Sequence, residues 1–128
     1  MIQQITKGIK ISVETKYDGV IVRNSTSYQA FNYFITIENN STETVQLTDR
    51  FWMIFDTLNN IEIVEGKGVV GQTPTLEPAD NYTYKSNCFL NSSIGAMKGF
   101  FKMKNVNTQE KFRVIIPTFQ LQTFPLSN

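Results

Sequence analysis

A chain of 128 residues with net charge +1, one cysteine and no histidine is long enough to bury roughly two-thirds of its unfolded surface in a core of its own. The residue set excludes Cys/His zinc sites, an internal disulfide and every mechanism that needs an imidazole base. The near-zero charge removes the general basic footprint of a nucleic-acid binder.

Ten Phe and five Tyr point to an aromatic core. The N-terminal stretch "MIQQITKGIKISVET" has no apolar run of signal-peptide length, and no transmembrane span follows it. The expected location is therefore the cytoplasm, with no membrane partner. Five N-x-S/T sequons, at Asn24, Asn39, Asn40, Asn81 and Asn91, then reflect an Asn- and Ser-rich composition rather than glycosylation.

The apolar period along the chain is two. "KGIKISVETK" sets Ile9, Ile11 and Val13 on one face, and "QAFNYFITIEN" does the same with Phe31, Tyr33, Ile35 and Ile37. After the turn "NNSTET", the segment "VQLTDRFWMIFD" starts its inward set at Val45 and Leu47 but continues it at Trp52 and Ile54. A one-residue slip is needed to reconcile them, which predicts a β-bulge near Asp49 and Arg50. A turn at Asn59 and Asn60 leads into a short strand in "IEIVEGKG". "DNYTYKS" alternates through Tyr82 and Tyr84. "MKGFFKMKN" divides Met97, Gly99, Phe101 and Met103 from Lys98, Phe100, Lys102 and Lys104. "KFRVIIPTFQL" alternates through Phe112, Val114 and Ile116. No window carries a sustained helical stripe. Seven or eight strands joined by polar turns predict an all-β, antiparallel sandwich of the immunoglobulin or fibronectin type III kind, with residues 1–128 as one domain and Trp52 in the core.

"EGKGVVGQTP" contains G-x-G-x-x-G at Gly66, Gly68 and Gly71. In dinucleotide-binding enzymes that spacing needs a following helix and an acid about 20 residues on. Here Pro74 and Pro78 prevent the helix, and the segment around Asn91 contains no Asp or Glu. Two readings remain. In one, the glycines shape a tight turn: Gly66 and Gly68 supply positive φ, and Gly71 allows close backbone approach. In the other, Gly66, Lys67, Gly68 and Gly71 form a nest that takes a phosphate-rich anion weakly.

Other candidates are weaker. Asp49, Asp56, Glu62, Glu65 and Glu77 are scattered acids, and Glu62 and Glu65 have opposite strand parity, so no metal site is read from them. Lys98, Phe100, Lys102 and Lys104 form a basic-aromatic surface patch. Such a patch either binds a partner or protects an edge strand from aggregation. Cys88 reads as a small packed hydrophobe, and Arg50, beside Phe51 and Trp52, as a residue that stacks or pairs locally. No catalytic residue and no cofactor are expected.

Taken together, these segments resemble the ApaG family, and the resemblance covers nearly the whole chain. Gly66, Gly68, Val69, Val70, Gly71, Pro74, Leu76, Pro78, Tyr84 and Ser86 fit its G-x-G-V-V-G and x-P-x-L-x-P-G-x-x-F-x-Y-x-S elements. Gly95, Met97, Gly99, Phe101 and Met103 fit its next element, and Phe112, Val114, Ile116, Pro117, Phe119 and Leu121 its last, with Arg50 and Trp52 matching R-x-W upstream. Ala79, Asn59 and Asn87 stand where the family usually has glycine, and Ala79 predicts a reshaped turn because it enters left-handed backbone only at a cost. The resemblance implies a small cytoplasmic β-sandwich of bacterial type, linked to cobalt and magnesium resistance, with related domains serving as recognition modules in F-box proteins. It implies no catalytic residues. The expected function is non-catalytic protein binding, with an unknown protein partner and a homodimer both open. The alternative is a weak binder of pyrophosphate or nucleotide at the glycine loop.

Overall fold

The computed structural model describes residues 1–124, and residues 125–128 of the expected domain lie outside that range. Among the described residues nine strands succeed one another: β1 (Ile2–Thr6), β2 (Ile9–Arg23), β3 (Thr26–Asn39), β4 (Val45–Asp56), β5 (Glu62–Lys67), β6 (Thr75–Leu76), β7 (Asn81–Leu90), β8 (Ile94–Asn105) and β9 (Lys111–Gln122). One antiparallel sheet has the order β1-β2-β3-β7. The other has β5-β4-β8-β9, with β6 also pairing to the start of β4. This is a sandwich of the immunoglobulin and fibronectin type III class. The count exceeds expectation by β1 and β6, for physical reasons. β1 is almost wholly exposed and so shows no alternation, while β6 is two residues long between Pro74 and Pro78.

Alternation sends Ile9, Ile11, Val13, Phe31, Tyr33, Ile35 and Ile37 from the first sheet against Leu47, Trp52, Met97, Phe101, Met103, Val114 and Ile116 from the second. Trp52 is 2% exposed and meets Tyr33 of the opposite sheet at 5.5 Å and Phe119 at 5.8 Å, both edge-on. That trio ties β3, β4 and β9 together through the middle of the core. On one side the sheets close, with β1 against β9 and the Ile115 amide donating to Thr6 Oγ1. On the other side the edges β5 and β7 stand apart.

The expected bulge is present, at Thr48. Leu47 pairs with Met103 but Asp49 pairs with Lys102, so one residue of β4 has no counterpart. A second bulge lies in β9, where Met97 pairs with Phe119 but Gly99 with Ile116. Pro117 falls within it, at a point where the ladder needs no amide donor.

Asn39 is fully buried. Its side-chain amide donates to the carbonyls of Glu43 at 2.8 Å and Leu76 at 2.9 Å, while its Oδ1 accepts from Ser41 N and Ser41 Oγ. This sequon therefore serves packing. The Asn39 carbonyl also accepts from Ala79 N, whose residue has φ of 75° in a turn closed by Asp80 N to Glu77 O. Ala79 thus takes the left-handed conformation in spite of its cost. Pro78, the Ala79 N bond to Asn39 O and the Asn39 N bond to Asp80 O hold Ala79 in left-handed backbone, and the strain is accepted. Asn59 and Asn87 do not enter that region.

Cys88 is 5% exposed in the core, and burial, with Glu62 and Asp56 adding, pushes its thiol up to about 12. Three outcomes follow. Trp52→Ala is expected to cost about 3–5 kcal/mol in urea unfolding, and a loss below about 1 kcal/mol would remove it as core anchor. Ala79→Gly is expected to stabilise by about 1 kcal/mol, read as a raised denaturant midpoint at unchanged slope. Cys88 is neutral when folded and ionises first when unfolded, so stability is expected to fall between the ordinary thiol value and about pH 12. Tyr33 and Tyr84, both raised by burial, add to the same fall. Cys88→Ala should blunt it, as a pH series of denaturant midpoints would show.

Candidate functional site

The glycine loop grows out of β5. Gly66 pairs with Arg50 across the β4–β5 ladder and keeps φ out of the left-handed region. A Cβ there would sit 2.9 Å from Arg50 Nη2 and 3.0 Å from its Cζ, so Gly66 makes room for a guanidinium. Gly68 does have positive φ, and a Cβ on it would strike the carbonyl oxygen of Gln72. Val69 and Gln72 exchange amide–carbonyl bonds of 2.8 and 2.9 Å around Val70 (φ 46°) and Gly71 (φ 77°), a two-residue hairpin turn. Gly71 has open space around it. The roles of two glycines are thus exchanged relative to expectation: Gly66 serves close approach, and Gly71 serves conformation. The Gly68 amide donates to Thr48 O and the Val69 amide to Gln72 O, so neither is free for an anion. Arg50 Nη1 caps the carbonyls of Lys67 at 3.1 Å and Gly68 at 3.0 Å. The local partner of Arg50 is this loop. Val70 at the tip is 62% exposed and, being β-branched, is strained at that φ.

The basic-aromatic patch lies on the outer face of the second sheet. Lys98, Phe100, Lys102 and Lys104 belong to β8, an interior strand between β4 and β9. Protection of an edge therefore does not account for these lysines, which corrects that reading. The register extends the patch across the sheet. Ile115, Phe100, Phe51 and Glu65 form one cross-strand row, and Arg113, Lys102, Asp49 and Lys67 the next. Lys98, Met53 and Ile63 form a third. Phe51 stacks on Phe100 at 4.9 Å, and the Arg113 guanidinium lies 4.4 Å from the Phe100 centroid. Lys98 lies over Phe55 at 5.8 Å. Ile63 is 56% and Ile115 40% exposed. The sequence showed only the β8 part, because Phe51, Met53, Ile63, Arg113 and Ile115 join it through register between distant segments.

The acids are dispersed as expected, with Glu62 opposite inward Ile54 and Glu65 opposite outward Phe51. Among the described residues no three of His, Cys, Asp and Glu gather in a group that could hold a metal ion. Burial raises the Asp56 carboxyl, but the neighbouring Ser92 hydroxyl and hydrogen bonds from the Asn91 and Leu58 amides and Asn59 outweigh it and hold the group below the usual carboxylate value. Asp56 is therefore spent on knitting the 57–60 turn to the end of β7. Among the described residues no helix is long and apolar enough to cross a membrane.

Comparison with known proteins agrees with this architecture. The family model described as the ApaG domain matches residues 22–105. The protein named Protein ApaG of Brucella anthropi is 44% identical over 121 residues, covering 94% of this chain and 92% of that protein. The crystal structure described as the putative ApaA protein from Bordetella pertussis superposes with a TM-score of 0.78 at 31% identity, over 89% of this chain and 92% of that one. An X-ray structure of a structural genomics target gives 0.86 at 33% identity, over 94% and 93%. A domain match over most of the sandwich, together with relatives aligned almost end to end, carries one conclusion: the chain belongs to the ApaG family.

Proposed function

We propose that this ApaG domain is a non-catalytic recognition module whose outer second-sheet face binds an acidic, apolar-bearing segment of another protein. One observation carries the reading. Six cations (Lys67, Lys98, Lys102, Lys104, Lys111 and Arg113) and a pre-stacked aromatic row share a face with only two acids, Asp49 and Glu65, in a chain of net charge +1. Aromatic and arginine side chains supply most binding energy at protein interfaces, and complementary charge steers association. A second copy fits this face poorly, because a two-fold contact would set the cations against one another. Stacked bases fit it poorly too, since Phe51 and Phe100 already use their π-faces on each other and on Arg113.

A non-catalytic role is supported by the lack of histidine, by the dispersal of the acids and by a Cys88 thiol held protonated by burial. Any part in cobalt or magnesium resistance is, on this reading, indirect and exerted through the partner.

The test places a photo-crosslinking residue at Ile63 or Ile115, and at Val22 as a control on the other sheet. Cross-linking in cytoplasmic extract should yield the same acidic protein from both face positions and not from Val22. Phe100→Ala should weaken the purified complex by about 2 kcal/mol, roughly thirtyfold, and Arg113→Glu by at least as much. Capture confined to Val22, or affinity indifferent to both substitutions, would refute the assignment.

A further inference from the structure

A protein partner seated on the aromatic row leaves one end of the second-sheet face unaccounted for. There the register sets cation against cation: Lys102 pairs with Arg113, and two residues further on Lys104 pairs with Lys111. Partners in such a ladder sit about 5 Å apart, with about 7 Å between the two rows. Like charges directly opposite one another destabilise a sheet. Solubility alone does not require them, since the first sheet sets Lys10 against Glu38 at 3.8 Å. Here the flanking positions bring little relief: Lys104 has neutral Gln46 on its other side, and Lys102 has Asp49. Among the described residues the ion pairs are Lys7 with Glu110 and Lys10 with Glu38, so neither the four cations nor Asp49 takes part in one. The four cations surround a concavity of about 570 Å³, which Thr48 and Asp49 of the bulge also line.

Two adjacent rows of like charge around a concavity call for a counter-anion that the chain does not supply. We propose that this concavity binds an inorganic oligophosphate, a chain of two or three linked phosphoryl groups, through Lys102, Lys104, Lys111 and Arg113. Charge selects the class. Four cations less Asp49 leave a surplus of three positive charges. A single phosphoryl group carries about −1.5 to −2 and falls short of that, whereas two or three linked groups match it. Length selects in the same direction, because an anion that bridges rows about 7 Å apart needs more than one phosphoryl group. The lysines meet such an anion as point charges on flexible stems. Arg113, with its guanidinium 4.4 Å from the Phe100 centroid, adds a planar donor fork. A nucleotide base finds no platform beside the site, since Phe51 and Phe100 stack on each other and Arg113 lies over Phe100. The glycine loop is a different place, with its Gly68 and Val69 amides already spent. The proposal does not rest on the protein partner, although the two share Arg113.

The experiment titrates the full chain with sodium pyrophosphate and sodium tripolyphosphate, without magnesium and at constant ionic strength. Orthophosphate, ATP and oligo(dT) serve as comparators. Backbone amide shifts locate the site, and thermal midpoints report its effect on stability. Saturable shifts centred on Lys102 to Lys104 and Lys111 to Arg113 are expected, with pyrophosphate bound roughly tenfold more tightly than orthophosphate. Lys111→Gln should weaken pyrophosphate roughly tenfold, and Arg113→Lys, which keeps the charge and loses the fork, roughly threefold. Lys85→Gln, on the other sheet, should change nothing. Without anion, Lys111→Gln should melt no lower than the unaltered chain, because it relieves one like-charge pair. It should also lose most of the upward shift that pyrophosphate gives the unaltered chain. The proposal fails if orthophosphate binds as tightly as pyrophosphate, if the shifts centre on Gly66 to Gly71, or if Lys111→Gln binds pyrophosphate unchanged. Tighter binding of ATP than of tripolyphosphate would overturn it in favour of a nucleotide, and tighter binding of oligo(dT) in favour of nucleic acid. These titrations use the purified chain alone, and cross-linking at Ile63 and Ile115 uses no added phosphate, so either reading can fail while the other stands.

Discussion

The extra residue at Thr48 is the constraint on which both surfaces of this domain depend. A strand of strict alternation starting from Val45 and Leu47 would turn Phe51 inward and Trp52 outward. The bulge restores the core by placing Trp52 and Ile54 inside, and in the same step it sends Phe51 and Met53 to the outer face and Arg50 into the open cleft. The bulge is also held in place by its neighbours. Thr48 Oγ1 donates to Lys102 O, and Thr48 O accepts the Gly68 amide at 2.8 Å. The backbone group freed by the irregularity thus anchors the glycine loop, and Arg50 caps the carbonyls of that loop from the other side.

The outer faces of the two sheets are built differently. On the first sheet, cross-strand neighbours satisfy one another: Thr36 bonds Thr83 at 3.1 Å, Lys10 approaches Glu38 at 3.8 Å, and Lys85 lies over Phe34. That arrangement is complete in water. On the second sheet the cations outnumber the acids and surround an aromatic stack with exposed aliphatics beside it. A sheet face of that kind gains by being covered, and its ordered aromatics lose little entropy when it is.

The G-x-G-x-x-G pattern shows how one spacing arises from unrelated causes. In a dinucleotide site the glycines serve a tight turn, approach to a pyrophosphate and helix packing. Here Gly66 yields space to a guanidinium, Gly68 passes close to a carbonyl, and Gly71 shares a two-residue hairpin turn with a strained valine. The prolines at 74 and 78 were enough to exclude the helix from sequence. The three actual reasons needed Arg50, Gln72 and the turn bonds, all supplied by pairing.

The sandwich class, the inward residues, the burial of Trp52 and the approximate place of the bulge were all legible in the sequence. Each is recorded in the side-chain alternation of a single strand, a local property with period two. The ApaG resemblance was legible for the same reason, as spaced residues within segments. Strand β1 left no mark because it buries almost nothing, and β6 because two residues between prolines carry no period. Which strands become neighbours, and in what register, was decided only in three dimensions. Pairing of β4 with β5 and β8 assembles the row of Phe100, Phe51 and Glu65, and the separation of β5 from β7 leaves Arg50 and Ser86 beside a cleft. Such contacts join residues tens of positions apart, and alternation within one strand contains no information about the strand beside it.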